Sequence, residues 1–520
     1  MHASPHRPQD RALRERVPHG VLWAAAVVLL GYFAAEASLL SFRLGFPLDD
    51  SWIHLQFARN LASGLGLSYN PGELVTGSTA PLWTALLSLL FHLPGNVVVW
   101  TKLASAVLFV ASVHATFRLG RALGLERDLA SVASLLVAGT YWLVWSALSG
   151  MEIVLFVWLS LEGILLHLRE RRDPQRPCLS LPVLALSALA RPEALLLLML
   201  AIADRLTAGD QVDLRRLGRG MVAAALFVVP TLLFYWRVGG SPLPTTFGAK
   251  AGEMRGLLPD GQYLFMVFGI FFRPQPWMAL LAAAGAAVLL RRWRGDGDRG
   301  LLIALWGFGL PFAYALLVPQ GKHLLLGNFG RYFFPLFPVV ILLGCLGGRE
   351  VWQRWRGLRP LRALLLVALI LPTLYTLVQG AGFFARNVAN VEDGDVRMAS
   401  WLRAHVPVEA VVAVQDIGAI RFFAPQRILD LAGIVSPDIQ RAIRAATTPE
   451  DRFGQAGMLR YLEEKRPDYL VAFPSWYPQL VRAETGFVPV YTLAVPDNIT
   501  LAGDQLVVYK TPWTRGGLLP

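Results

Sequence analysis

The sequence predicts a polytopic α-helical membrane protein that closes with a small α/β domain outside the membrane. Three observations carry this expectation. The 520 residues are 55% hydrophobic and only 16% charged, with a mean hydropathy of +0.47, whereas soluble domains carry about 25% charge. Apolar runs at 21–40, 97–117, 129–148 and 361–379 approach the roughly 20 residues that cross a bilayer. The arginines are gathered between such runs: 24 of the 48 Lys and Arg fall in six stretches, 1–18, 118–128, 168–176, 204–219, 291–299 and 349–363. That clustering is the positive-inside signature, and it explains a net charge of +12 without nucleic acid as a partner.

With the six basic stretches placed in the cytoplasm, the elements follow in order. Residues 1–19 are a cytoplasmic basic tail. Segment 20–41 goes out; its Ala35-Glu36-Ala37 weakly resembles a cleavage site, but a signal anchor is the expected reading. The first outer loop is 42–96. Pro81 to Leu93 is apolar but too short to span, so it is assigned to this loop as an interfacial or re-entrant helix; segment 261–272 is treated likewise. Segment 97–117 comes in, 129–148 goes out and 152–168 returns. Segments 178–190 and 193–204 form a short out-and-back hairpin. Then 220–237 goes out, 276–290 in, 300–318 out, 332–347 in and 361–380 out. The count is about 11 transmembrane helices in a domain over 20–384. Residues 385–520 form the extracytoplasmic α/β domain. There, 411–414, 469–472 and 505–510 read as strands and 396–405 and 456–465 as helices. Cys178 and Cys345 lie in or beside apolar segments on the inner side, so no disulfide framework is expected.

Ionisable residues beside membrane segments are costly unless they are paired or working. In this topology the informative ones share the outer side. Asp49 and Asp50 open an amphipathic helix, with Ile53, Phe57 and Leu61 at helical spacing and His54 and Arg59 on other faces. A single Asp would serve as an N-cap. Two adjacent carboxylates point further, to a general base with a second acid that holds a metal or an acceptor. Asn70-Pro71-Gly72-Glu73 is turn chemistry. Glu152 opens a span from the outer side, where a helix N-terminus favours a carboxylate. Arg191 and Glu193 at the hairpin tip read as a structural pair. Lys250 and Arg331, the latter followed by Tyr332, are cations able to meet a phosphate, and Arg is the better fork for two oxygens. His323 lies beside Lys322 in the same loop as Arg331. Asp416 and Asp430 each follow a strand-like run and read as turn residues. P-loop, zinc, nucleophile-elbow and dinucleotide spacings are missing from the sequence.

Taken together, these motifs resemble the GT-C superfamily of membrane glycosyltransferases. The resemblance rests on Leu48-Asp49-Asp50-Ser51-Trp52-Ile53-His54, Tyr69-Asn70-Pro71-Gly72-Glu73, Pro81-Leu82-Trp83, Gly150-Met151-Glu152, Arg191-Pro192-Glu193, Pro242 to Phe247 with Lys250, and Gly330-Arg331-Tyr332. It is nearest to a bacterial branch beside the mannosyl- and arabinofuranosyltransferases. It covers 20–345 well, and the tail, through Val414-Gln415-Asp416-Ile417-Gly418-Ala419 and Leu429-Asp430-Leu431-Ala432-Gly433, more loosely.

The resemblance implies transfer of a sugar from a polyprenyl-phosphate donor to an extracytoplasmic glycan, lipid or protein, typically with inversion. It makes Asp49 the first choice for base and Asp50 the second. Glu152 would orient the acceptor or support a metal. Lys250 and Arg331 would neutralise the leaving phosphate, with His54, His323 and Tyr332 as further binding residues. Many relatives need no metal; where Mg or Mn is used, Asp49, Asp50 and Glu152 are the expected ligands. The location implied is the cell inner membrane. The alternative reading is a lipid-linked sugar transporter or a non-catalytic envelope assembly protein. That reading expects ionisable residues near the bilayer midplane, where Glu162 is one of few.

Overall fold

The computed structural model describes residues 16–173, 175–207, 213–242, 244, 258–272, 276–296, 300–317, 330–354, 359–446, 451 and 454–515. Lys250 and His323 lie outside them.

The helical region begins with α1 (His19–Leu39), α2 (Asp49–Ala62), α3 (Pro81–Leu90) and α4 (Val97–Ala122). It continues with α5 (Arg127–Ala138), α6 (Tyr141–Leu148), α7 (Ile153–Arg172), α8 (Ser180–Ala190), α9 (Ala194–Leu206) and α10 (Leu214–Gly239). Then come α11 (Gly261–Phe272), α12 (Pro276–Asp296), α13 (Leu301–Leu317), a 3-10 turn at Arg331–Leu336, α14 (Phe337–Arg354) and α15 (Arg359–Val391). Among the described residues, five helices are long and apolar enough to cross a membrane, or seven if each of two bent pairs is one span. Three shorter apolar helices, α3, α8 and α13, accompany them. The protein is thus multi-pass and helical.

The expected single span at 129–148 is two helices, α5 and α6, bent by 57°. The break falls at Gly139-Thr140, where glycine ends α5 and the Thr140 hydroxyl bonds back to Leu136 O at 2.7 Å. Helix α1 runs unbroken through Ala35-Glu36-Ala37. Glu36 is fully buried and paired with Lys102 at 2.8 Å, and Lys102 also donates to Leu148 O at 3.1 Å. A buried pair of this kind persists because further hydrogen bonds satisfy it; Glu36 also accepts the Gly45 N–H at 3.1 Å.

Helix α15 passes through a π turn at Glu392–Val396 into α16 (Arg397–His405) and the C-terminal domain. There β1 (Val411–Val414), α17 (Ile417–Phe423), β2 (Arg427–Asp430), α18 (Asp438–Ala446), α19 (Gln455–Lys465), β3 (Tyr469–Ala472), β4 (Val488–Ala494) and β5 (Gln505–Lys510) build a five-stranded sheet of order β2-β1-β3-β5-β4. Strands β1, β2 and β3 run parallel, with Val412 opposite both Ile428 and Tyr469; β5 pairs antiparallel with β3 and β4.

The first loop does not pack as part of the helical bundle alone. Ile53, Phe57 and Tyr69 are buried in one core with Val412, Val414, Ile417, Ile420 and Val471 of the C-terminal domain. Asn70 pairs with the backbone of Ile428 as a strand would, its amide donating to Ile428 O at 3.0 Å and its carbonyl accepting Ile428 N–H at 3.1 Å. Tyr69 OH donates to Ile417 O at 2.7 Å and Arg59 to Phe422 O at 2.8 Å. The chemistry-bearing residues of the loop are therefore clamped between bundle and domain.

Candidate functional site

The site is assembled on the first turn of α2. Leu48 precedes the helix in extended conformation and offers no side-chain cap, and Asp49 and Asp50 occupy the first turn. They take opposite directions. Asp49 turns to the C-terminal domain, where its two carboxylate oxygens accept the N–H groups of Gly418 and Ala419, each at 2.7 Å. These are first-turn amides of α17, so Asp49 caps a helix 369 residues away. Glycine at 418 is required by contact, because a Cβ there would run into Asp49. Burial pushes the Asp49 carboxyl up to about 7, with Asp50 and Asp430 adding repulsion and the two amides opposing.

Asp430 is the turn residue the sequence suggested. It accepts the Ala432 and Val435 N–H groups at 2.7 and 2.8 Å, and burial pushes its carboxyl up to about 6 despite those bonds. The usual value for both groups is 3.8. Between that pH and about 7 the folded protein holds protons that the unfolded chain has released. The contribution of these two groups to stability is thus greatest in acid and falls as pH rises through this window. Thermal midpoints at about pH 5 and about pH 7.5 check this; Asp430→Asn is expected to flatten the difference.

Asp50 turns the other way and pairs with Arg331. The Arg331 side chain is buried at 5% exposure while that of Asp50 is open at 38%, so a ligand can reach the carboxylate. Arg331 follows Gly330, which takes the left-handed conformation at φ 69° and starts the 3-10 turn. One guanidinium nitrogen, Nη1, is buried without a partner among the described residues. The Tyr332 ring lies 5.6 Å from the Arg331 guanidinium and 5.2 Å from that of Arg191, within cation–π range.

Glu152 is buried behind this pair. His54 Nε2 contacts it at 3.1 Å and Arg191 Nη1 at 2.6 Å; Arg191 reaches Glu193 at 2.8 Å, and Tyr314 OH donates to Glu193 at 2.5 Å. The preceding loop is held carbonyl by carbonyl. Lys102 takes Leu148 O, Ser51 Oγ takes Ser149 O at 2.6 Å, and Trp83 Nε1 takes Gly150 O at 2.9 Å. Gly150 sits at φ 75° with Phe46 where a Cβ would be. Glu152 therefore acts as a keystone of a buried polar chain, its oxygens facing the Arg191 guanidinium and the His54 ring. His54 braces Glu152.

The three carboxylates expected as metal ligands do not converge. Asp49 holds two amides, Asp50 an arginine, and Glu152 a histidine and an arginine. Among the described residues no three His, Cys, Asp or Glu are arranged to hold a metal ion. This set does not fit Mg or Mn.

A cavity of about 520 Å³ opens between α5–α6, α11, α14 and α15, lined by Trp142, Phe271, Phe337, Thr373, Phe383 and Arg386 among others. Phe334, one turn after Arg331, stacks on Trp142 at 4.6 Å and 25°. The cavity and the arginine are thus joined through one aromatic contact. Three features escaped the sequence: the Glu36–Lys102 pair, the cap supplied by Asp49, and the buried Asp395 of the π turn. The first two need a partner far along the chain, and the third has no local pattern that marks it.

Residues 386–509 match a family model described as a domain of unknown function, DUF8728. No curated protein matches the chain by sequence. Among solved structures, ArnT from Cupriavidus metallidurans bound to undecaprenyl phosphate is similar at 13% identity and a TM-score of 0.59, over 96% of this chain and 99% of that one. The Archaeoglobus fulgidus oligosaccharyltransferase, in complex with zinc and sulfate, is similar at 14% identity and a TM-score of 0.52, over 90% of this chain and 72% of that one. The chain thus shares its fold with these two structures over 96% and 90% of its length, the fold that the GT-C resemblance implies.

Proposed function

We propose that the protein is a membrane glycosyltransferase that moves a sugar from a polyprenyl-phosphate donor to an acceptor outside the cytoplasm. The observation that carries the reading is Arg331, a buried guanidinium that faces a half-open carboxylate and keeps Nη1 unpartnered among the described residues. A phosphate oxygen is the natural second ligand of such a fork. The adjoining aromatic cavity suits a section of isoprenoid chain, the rest lying in the bilayer.

In this reading Asp50 replaces Asp49 as the base, since both Asp49 oxygens already serve α17. Asp50 takes the proton of the acceptor hydroxyl as its oxygen attacks the anomeric carbon. The bond from that carbon to the phosphate oxygen breaks, with inversion, and the electron pair leaves on the phosphate. Arg331 neutralises the charge that grows there. Lys250 and His323 remain proposed phosphate-side groups, Tyr332 shapes the arginine's surroundings, and Glu152 with His54 holds the site in register. The site and the C-terminal domain face the periplasmic side of the inner membrane in this scheme.

The test is retention of undecaprenyl phosphate by the purified full-length protein. Arg331→Gln is expected to weaken it by about tenfold or more, the scale of one charge-assisted fork. Wild-type retention by a folded Arg331→Gln protein would remove the basis of the proposal.

A further inference from the structure

Glu36 of α1 and Lys102 of α4 are buried together, at 0% and 4% side-chain exposure, with the Lys102 Nζ 2.8 Å from the Glu36 Oε2. Charges inside apolar helices are costly, and apolar side chains of similar size would join two helices as well or better. The remaining bonding capacity of both groups is aimed at backbone. Glu36 Oε1 accepts the Gly45 N–H at 3.1 Å, and Lys102 Nζ donates to Leu148 O at 3.1 Å.

These two backbone groups have a common destination. Gly45 leads through Phe46-Pro47-Leu48 to Asp49 and Asp50, and Leu148 leads through Ser149-Gly150-Met151 to Glu152. Beyond the pair the two segments are laced together. Ser51 Oγ donates to Ser149 O at 2.6 Å, and the Phe46 ring fills the space that a Cβ on Gly150 would need. Phe46 also meets the Trp52 ring edge-on, with centroids 5.0 Å apart and planes at 67°, and its ring lies 5.5 Å from the Lys102 ammonium. From another side the Glu392 side chain closes on Gly45, where a Cβ would collide with its carboxylate. Gly45 thus has its N–H fixed by one carboxylate and its Cα pressed by a second. The bonds of the Glu36–Lys102 pair end on the backbone that precedes Asp50 and Glu152, not on the acids themselves.

We propose that Lys102, set by Glu36, is a positioning residue for Asp50: it fixes the backbone on both sides of the site so that the Asp50 carboxylate meets the acceptor hydroxyl at reacting distance. This rests on the transferase reading above. The effect falls on rate and not on binding. Arg331 still takes the phosphate when Lys102 is replaced, but a base displaced by about 1 Å loses its reacting geometry, and with it up to about 10²-fold in rate.

The experiment separates positioning from a merely structural tie. Lys102→Met alone leaves Glu36 buried without its cation and destabilises the fold. The double variant Glu36→Gln/Lys102→Met removes both charges, so the fold should recover while the bond from Lys102 to Leu148 O stays lost. The full-length proteins are assayed in nanodiscs. Lipid-linked sugar extracted from a strain deleted for the gene is titrated as donor, and envelope glycan from that strain is the acceptor at fixed amount. The double variant is expected to melt closer to wild type than Lys102→Met does. Its maximal rate per folded molecule is nevertheless expected to be about 10- to 10²-fold lower, with the half-saturating donor amount within about twofold of wild type. Ser51→Ala, which cuts the lacing at one hydroxyl, should show the same split, and it carries the test if the double variant does not fold. Wild-type maximal rate in the folded variant overturns the proposal and leaves the transferase reading standing, the pair being then a structural tie. A raised half-saturating donor amount at unchanged maximal rate also overturns it, because the pair would then serve binding. A wild-type protein that transfers nothing overturns both.

Discussion

Asp50→Asn is expected to lower sugar transfer by about 10²- to 10⁴-fold, the range for loss of a positioned general base. Asparagine keeps the size of the side chain and one acceptor for Arg331, so the fold should survive and the loss should appear in the rate. The companion variant is Asp49→Asn. It retains one acceptor for the two amides of Gly418 and Ala419, and its first effect should be looser docking of the C-terminal domain, read as faster limited proteolysis. Initial rates with saturating donor, beside a thermal melt of each variant, separate the two roles. A folded Asp50→Asn protein at wild-type rate, with Asp49→Asn inactive, would return the base to Asp49.

The second large effect is on stability. Glu152→Ala removes the carboxylate between His54 and Arg191 and leaves a guanidinium at 7% side-chain exposure with Glu193 and the Tyr332 ring. Breaking a buried pair from one side costs about 3–5 kcal/mol, and the retained Glu193 contact places the expectation near the lower end. A melt of the purified protein would show it, and Glu152→Gln, which preserves one hydrogen bond to Arg191, should lose less. A melt unchanged by Glu152→Ala would mean that the ion chain contributes nothing to the fold.

Local pattern made much of this structure legible. The segments 20–41, 97–117 and 152–168 appear as helices α1, α4 and α7, of which α1 and α4 are long and apolar enough to cross a membrane, and the two short apolar segments of 81–93 and 261–272 appear as α3 and α11. Strands β1, β3 and β5 are short apolar runs and were readable as such. Strand β4 was not, because Pro489 breaks the pattern; it is tolerated since β4 is an edge strand with a register shift beside the proline. Helix α17 is only seven residues long and β2 is half turn-like in composition. The acid pair at 49–50 could be picked out, but not the division of labour within it. The two partners lie 369 and 281 residues away, and nothing near Asp49 and Asp50 distinguishes a cap for a distant helix from a base. In the same way the sequence offers Glu152 as a carboxylate at a helix N-terminus, and its partners His54 and Arg191 come from distant segments.

The cap that Asp49 gives to α17 also sets the order of assembly. The ribosome completes the first loop early, yet Gly418 and Ala419 are made several hundred residues later. Until the final domain has been made and folded, Asp49 lacks its amides, and Tyr69 and Asn70 lack their backbone partners. A chain cut short before that domain would carry the acidic pair without a working arrangement of it. The last quarter of the sequence is in this sense a timer, withholding the site from a half-made protein.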